Sequence, residues 1–126
     1  MGLSLKAIEL AAAALIGEAI THFGNANAYL GVGDDATAFA NTQTDLQGAN
    51  KYRVAVDVGY PTRSTRTLTW KATVDGDHGN WNWLEEGVFN ASSAGDMFCR
   101  EVEDLGTKGS GSVWVLTITG TLAACA

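Results

Sequence analysis

The chain has 126 residues, 46% hydrophobic and 17% charged, with 8 basic against 14 acidic side chains. That length and composition describe one globular domain and exclude wholesale disorder. A net charge of −6 argues against nucleic acid as the main partner, because phosphate binding needs a surplus of Lys and Arg. The 2 cysteines are too few for a disulfide scaffold. The low charged fraction points to a surface partly covered by other chains.

The organisation expected is a single domain, 1–126, with a helix or arm over 1–24 and a β-sandwich over 25–126. Leu5 to Ile20 is the one long apolar stretch, and Glu9, Gly17 and Glu18 interrupt it. It is too short and too acidic for a membrane span or a secretory signal. The absence of a signal implies folding in a reducing cytoplasm. The reading is an amphipathic helix with Ser4 as N-cap and Gly24 as its end. Leu5, Ile8, Ala12, Leu15, Ile16, Ala19 and Ile20 recur at helical spacing and form an apolar stripe. It packs on its own domain or on a neighbouring subunit; an arm that orders on assembly and a targeting segment are the alternatives.

Beyond Gly24 the period becomes two, the spacing of strands. Strands are expected at Ala28–Val32, Tyr52–Val58, Thr67–Val74, Trp81–Phe89, Asp96–Glu103 and Ser112–Leu122. Tyr52, Val54, Val56 and Val58 share one face; so do Leu68, Trp70, Ala72 and Val74, and Trp114, Leu116 and Ile118. Tyr60-Pro61-Thr62 breaks the chain. Asp75–Asn80, Ala94–Asp96 and Gly106–Gly111 carry hairpin-loop chemistry. Asp34–Asn50 reads as an ordered surface loop with one helical turn near Thr44–Gln47. The fold class is mainly β: an antiparallel β-sandwich with one N-terminal amphipathic α-helix.

No catalytic, metal or cofactor pattern emerges. His22 and His78 show no sequence link to a nucleophile, and the expectation is that the chain is not an enzyme. Gly31-Val32-Gly33 and Gly106–Gly111 read as turns and not as phosphate loops. Asp75, Asp77, Gly79 and Glu86 partly match a calcium loop, but the fifth and sixth positions and the strand flanks argue for a plain hairpin turn. Cys99 reads as a small core residue. Of Glu85 and Glu86, one faces inward beside Trp81 and Trp83, with Arg100 as its partner. Trp70, Trp81, Trp83 and Trp114 read as core or interface, with a carbohydrate platform as the alternative.

Three segments carry a resemblance: NANAYLGVGDDATAFANTQTDLQGANK over 25–51, DVGYPT over 57–62 and WLEEGVFNASSAGDMFCREVEDLGTK over 83–108. Together they resemble a family of small virion proteins of tailed bacteriophages. The chain departs from that pattern around Phe98, Cys99 and Glu101. Glu86, Gly87, Val88 and Phe89 show a fainter likeness to the N-terminal domain of tail-collar fibre proteins. The resemblance implies a virion structural protein, made in the host cytoplasm, and most simply a capsid decoration (cement) protein. Its partners would be the major capsid protein or other virion proteins and further copies of itself, a trimer being the simplest, with no nucleic acid and no membrane. A tail, baseplate or fibre component is the alternative within that class, and a carbohydrate-binding module the alternative outside it. The expected contact residues are Leu5, Ile8, Leu15 and Ile16 on the helix and Phe39 and Leu46 in the 34–50 loop.

Overall fold

The computed structural model describes residues 2–122. In chain order the elements are β1 (Gly2–Leu3), α1 (Leu5–Leu15), β2 (Tyr29–Gly33), β3 (Lys51–Ala55) and β4 (Thr62–Ser64). They continue with β5 (Thr67–Val74), β6 (Asn82–Phe89), β7 (Met97–Thr107) and β8 (Trp114–Thr121). The strands form two antiparallel sheets. One has five strands in the order β1-β7-β6-β2-β3, and the other has three in the order β4-β5-β8.

Alternation builds the core. Leu30 and Val32 of β2, Trp83 and Val88 of β6 and Cys99 of β7 face Trp70, Ala72 and Val74 of β5 and Leu116 and Ile118 of β8. The two fully buried tryptophans keep their indole donors satisfied, whereas the buried Nε1 of half-buried Trp81 has no partner among the described residues. Trp70 Nε1 donates to Phe23 O at 3.0 Å, and Trp83 Nε1 donates to Gly79 O at 2.8 Å. The outer face of the small sheet is wet and rich in threonine. Thr67 meets Thr121 across it at 2.9 Å, and Val113 and Val115 are exposed. This half-buried sheet matches the alternation read from the sequence.

The five-stranded sheet is covered on its other face as well. Loop 34–50 lies across it, and Leu46 packs there against Phe89 and Met97. The loop is ordered, as expected, but it contains no helical turn at 44–47. Its ends are pinned: Asn50 Nδ2 donates to Asp34 Oδ2 at 2.7 Å, and Asp34 N donates to Asn50 O at 3.2 Å.

Several expectations need correction. The helix stops at Leu15, where Gly17 with φ +82° turns the chain, and not at Gly24. Gly17 has the open left-handed freedom that ends helices, and the chain beyond it runs on without helix until Phe23 meets the core. Of the helical residues only Ala7 is buried, so the apolar stripe points away from the body. Gly2 and Leu3 pair with Arg100 and Cys99 of β7, so these two residues belong to the sheet and not to a separate arm. The 75–80 and 106–111 segments are not hairpin loops. Each carries the chain from one sheet to the other, because β5 pairs with β8 while β6 pairs with β7. Only the turn around Ala94-Gly95 closes a hairpin of the three expected. Strand β3 ends at Ala55, which leaves Val58 95% exposed.

Burial sets the cost of truncation. Leu30→Ala, at 0% exposure, will lower unfolding stability by about 2–5 kcal/mol in urea. Val58→Ala will change it by less than about 0.5 kcal/mol.

Candidate functional site

Two neighbouring glutamates of β6 lie on opposite faces of the large sheet and find opposite solutions. Both are buried, Glu85 at 0% and Glu86 at 3% exposure, where the sequence suggested one. Glu85 faces loop 34–50. Its Oε1 accepts from Arg100 Nε at 2.8 Å and from Gln47 N at 2.7 Å. Its Oε2 accepts from Gly48 N at 2.7 Å and from Asp35 N at 3.3 Å. Arg100 is the partner expected from the sequence. Its remaining donors reach the loop too, with Nη1 to Thr37 O at 2.8 Å and to Gln43 Oε1 at 3.2 Å.

Two glycines permit this approach. A Cβ on Gly33 would collide with the Glu85 carboxylate, and one on Gly48 would come within 2.8 Å of Glu85 Oε2. A side chain at either position would push away the carboxylate that accepts from the Asp35, Gln47 and Gly48 N–H groups. A long loop without helix or strand is thus tied to the sheet at five points along 35–48 through one ion pair.

The outer end of the loop is held by charge. Asp45 accepts from Lys51 Nζ at 2.7 Å and from Arg53 Nη2 at 3.2 Å. Arg53 lies over the Phe89 ring, 3.6 Å from its centroid, and also donates to Ala91 O and Ala94 O. Burial opposes ionisation of Asp45. The hydrogen bonds from Lys51, from the Leu46 N–H and from Arg53 outweigh it and hold the carboxyl below its ordinary value.

The loop in turn holds the helix. Leu5 N donates to Asn41 O at 2.8 Å, and Ser4 N donates to Phe98 O at 3.0 Å. Ser4 is fully buried, and its hydroxyl donates to Met97 O while accepting from Ala7 N at 3.0 Å. The N-cap expected from the sequence therefore also fastens the helix to β7. Exposure rises along the helix, with Leu5 and Ile8 in its first turn at 44% and 50% and Leu15 and Ile16 at its far end at 87% and 76%. Phe39 is half-buried, placed where a Cβ on Gly2 would strike its ring. Leu46 is 3% exposed, so its expected contact role is corrected: it is a core residue under the loop. Ser4 was legible in the sequence as a cap but not as a link to β7, and Asn41, Gly33 and Gly48 were missed as anchors.

The remaining chemistry-bearing residues do not converge. His78 Nδ1 lies 2.7 Å from Asp75 Oδ1 and its ring stacks on Tyr52 at 4.4 Å, while His22 is exposed elsewhere. The calcium-loop pattern is not assembled, because Asp75 is used by His78 and by the Asp77 N–H, and Glu86 points between the sheets. Trp70 and Trp83 are buried and Trp81 and Trp114 half-buried, so the four form no exposed platform. Burial pushes the Cys99 thiol up to about 12, which suits an unreactive core group. Cys125 lies outside the described residues. Among the described residues, the side chains with metal-ligand spacing are Glu86, Glu101 and Glu103. Among the described residues, no helix is long and apolar enough to cross a membrane.

Comparison of the chain with protein-family models, with curated proteins and with solved structures finds no match.

Removing one member of the buried pair strands the other. Arg100→Met will cost about 3–5 kcal/mol and will speed hydrogen exchange at the Asp35, Gln47 and Gly48 amides above that of the β5 amides. Exchange that rises equally everywhere would show that the pair does not act through the loop. Asp45 has a pH signature. Its folded pKa is depressed, so its contribution is present above the unfolded value near 3.8 and is lost as pH falls through the folded value. Asp45→Asn will therefore be less stable than the parent at pH 7, and the gap will close below pH ~3, read by thermal melting.

Proposed function

We propose that this chain is a structural protein of a tailed-phage virion, a capsid decoration (cement) protein that binds the major capsid protein across joints of the shell. One observation carries the reading furthest. A helix fastened by its first turn, with Ala7 in the core, leaves Leu5, Ile8, Leu15 and Ile16 exposed. Apolar side chains on a projecting helix gain about 25 cal/mol per Å² when a partner covers them. A rigid base lowers the entropy lost on binding, because the helix is ordered before its partner arrives.

The rest of the molecule suits such a part. The two sheets and the pinned loop make a stiff body, and the net acidic charge keeps a dense array of copies from sticking non-specifically. The resemblance of the 25–51, 57–62 and 83–108 segments to small virion proteins supports the same class. Copies related by a threefold axis would bring three helices together and multiply a modest affinity.

Quantitative mass spectrometry of purified parent particles will find the chain at a copy number matching the shell lattice. A number matching the tail would move it to the tail or baseplate, and absence from particles would overturn the reading. The double variant Leu15→Asp, Ile16→Asp will keep the parental circular dichroism and bind stripped shells at least about tenfold more weakly, a loss of about 1.4 kcal/mol. Unchanged binding would remove the helix from the contact.

A further inference from the structure

We propose that Glu86, Glu101 and Glu103 form a calcium-binding site between the two sheets. The three carboxylates come from adjacent strands. Glu86 of β6 pairs with Glu101 of β7, and Glu103 follows two residues on, so the pleat puts all three on the face toward β8. One oxygen from each lies within 4.8 Å of the others. That is the span bridged by a cation whose oxygen ligands stand about 2.4 Å away.

The second observation is independent of the clustering. Glu86 is 3% exposed, and its Oε2 is a buried atom with no hydrogen-bond partner. A buried carboxylate oxygen left bare is costly and rare in a folded protein. It borders a cavity of about 290 Å³ lined by Trp83, Glu86, Glu103, Leu105, Trp114 and the Val115–Thr117 stretch. No Lys or Arg lines that cavity among the described residues. Burial, then the neighbouring Glu103 and Glu101, push the Glu86 carboxyl up to about 9. Without a cation the Glu86 carboxyl thus keeps its proton beside the other two acids, and a bound ion would displace it.

The donor set selects the ion. Carboxylate oxygens are hard ligands, which suit calcium, magnesium and manganese over zinc or copper. Glu101 is half-buried and Glu103 exposed, so the site opens at one side and leaves room for waters. Calcium accepts such an uneven shell, whereas magnesium demands a near-ideal octahedron. The Val115–Thr117 stretch of β8 borders the same cavity, so a bound ion would sit between the large sheet and the small one. This site lies on the opposite sheet face from the loop and does not depend on the virion reading.

The test uses the full chain stripped with EDTA, titrated with calcium chloride by calorimetry and by thermal melting. The expected result is saturable heat at one site and a Tm that rises with free calcium and falls back with EDTA. Glu103→Gln, exposed and isosteric, will abolish both responses while keeping the parental circular dichroism. Glu86→Gln will do the same, whereas Glu9→Gln on the helix will leave both intact. Absence of heat and Tm shift at millimolar calcium would overturn the proposal, as would a shift that survives Glu103→Gln. A larger shift with magnesium than with calcium would overturn the choice of ion.

Discussion

The ion pair between Glu85 and Arg100 is the constraint on which the rest of the molecule depends. Taking two charges out of water costs several kcal/mol for each, and attraction alone repays this only with full hydrogen bonding. Here the pairing is nearly complete: four donors meet the carboxylate, and the guanidinium spends its remaining donors on loop acceptors. The donors and acceptors other than the pair itself come from loop 34–50. The pair therefore does for this loop what a row of apolar side chains would do for a helix. It specifies one position of the chain over the sheet, and only that position satisfies both charges.

From that position the order propagates outward. The fixed loop offers Asn41 O to Leu5 N, and it places Phe39 over Gly2. Ser4 then bridges the helix to β7. A helix with so few buried residues would not hold its angle by packing. It holds through hydrogen bonds at its base, and those are placed by the loop. The two glutamates that begin this chain of dependence differ by one residue in sequence and by a whole environment in space. Glu85 is surrounded by donors, whereas Glu86 has carboxylates for neighbours.

The sequence made the sandwich legible because alternation survives in β5 and β8, where one face meets the core and the other meets water. Leu68 to Val74 and Trp114 to Ile118 could be assigned face by face. The Arg100 partnership was legible for a related reason: a carboxylate forced inward needs a cation, and few were at hand. Connectivity was less legible. Turn-forming residues such as Asp75-Gly76 mark where the chain bends, but a hairpin and a jump between sheets use the same chemistry. The helix end was misplaced because apolar spacing continues past Gly17 through Ala19 and Ile20, and a pattern does not show whether a surface waits for it. The anchoring roles of Gly33 and Gly48 were hidden, since they follow from long-range approach to Glu85. The Glu101–Glu103 pair left a trace: with Cys99 and Leu105 it keeps period two on a strand whose inward face is otherwise apolar.

A segment as long as 34–50 without helix or strand is ordinarily where proteases first cut, since a protease must draw out an extended strand of its target. In this molecule the order of vulnerability is inverted. The irregular loop has its amides engaged on a buried carboxylate, while the stretch after Gly17 lies open beside a regular helix. Digestion would therefore cut first after the helix and leave the loop on the sandwich, so that a nick severs the projecting surface from the chain behind it without unfolding the body that carries it.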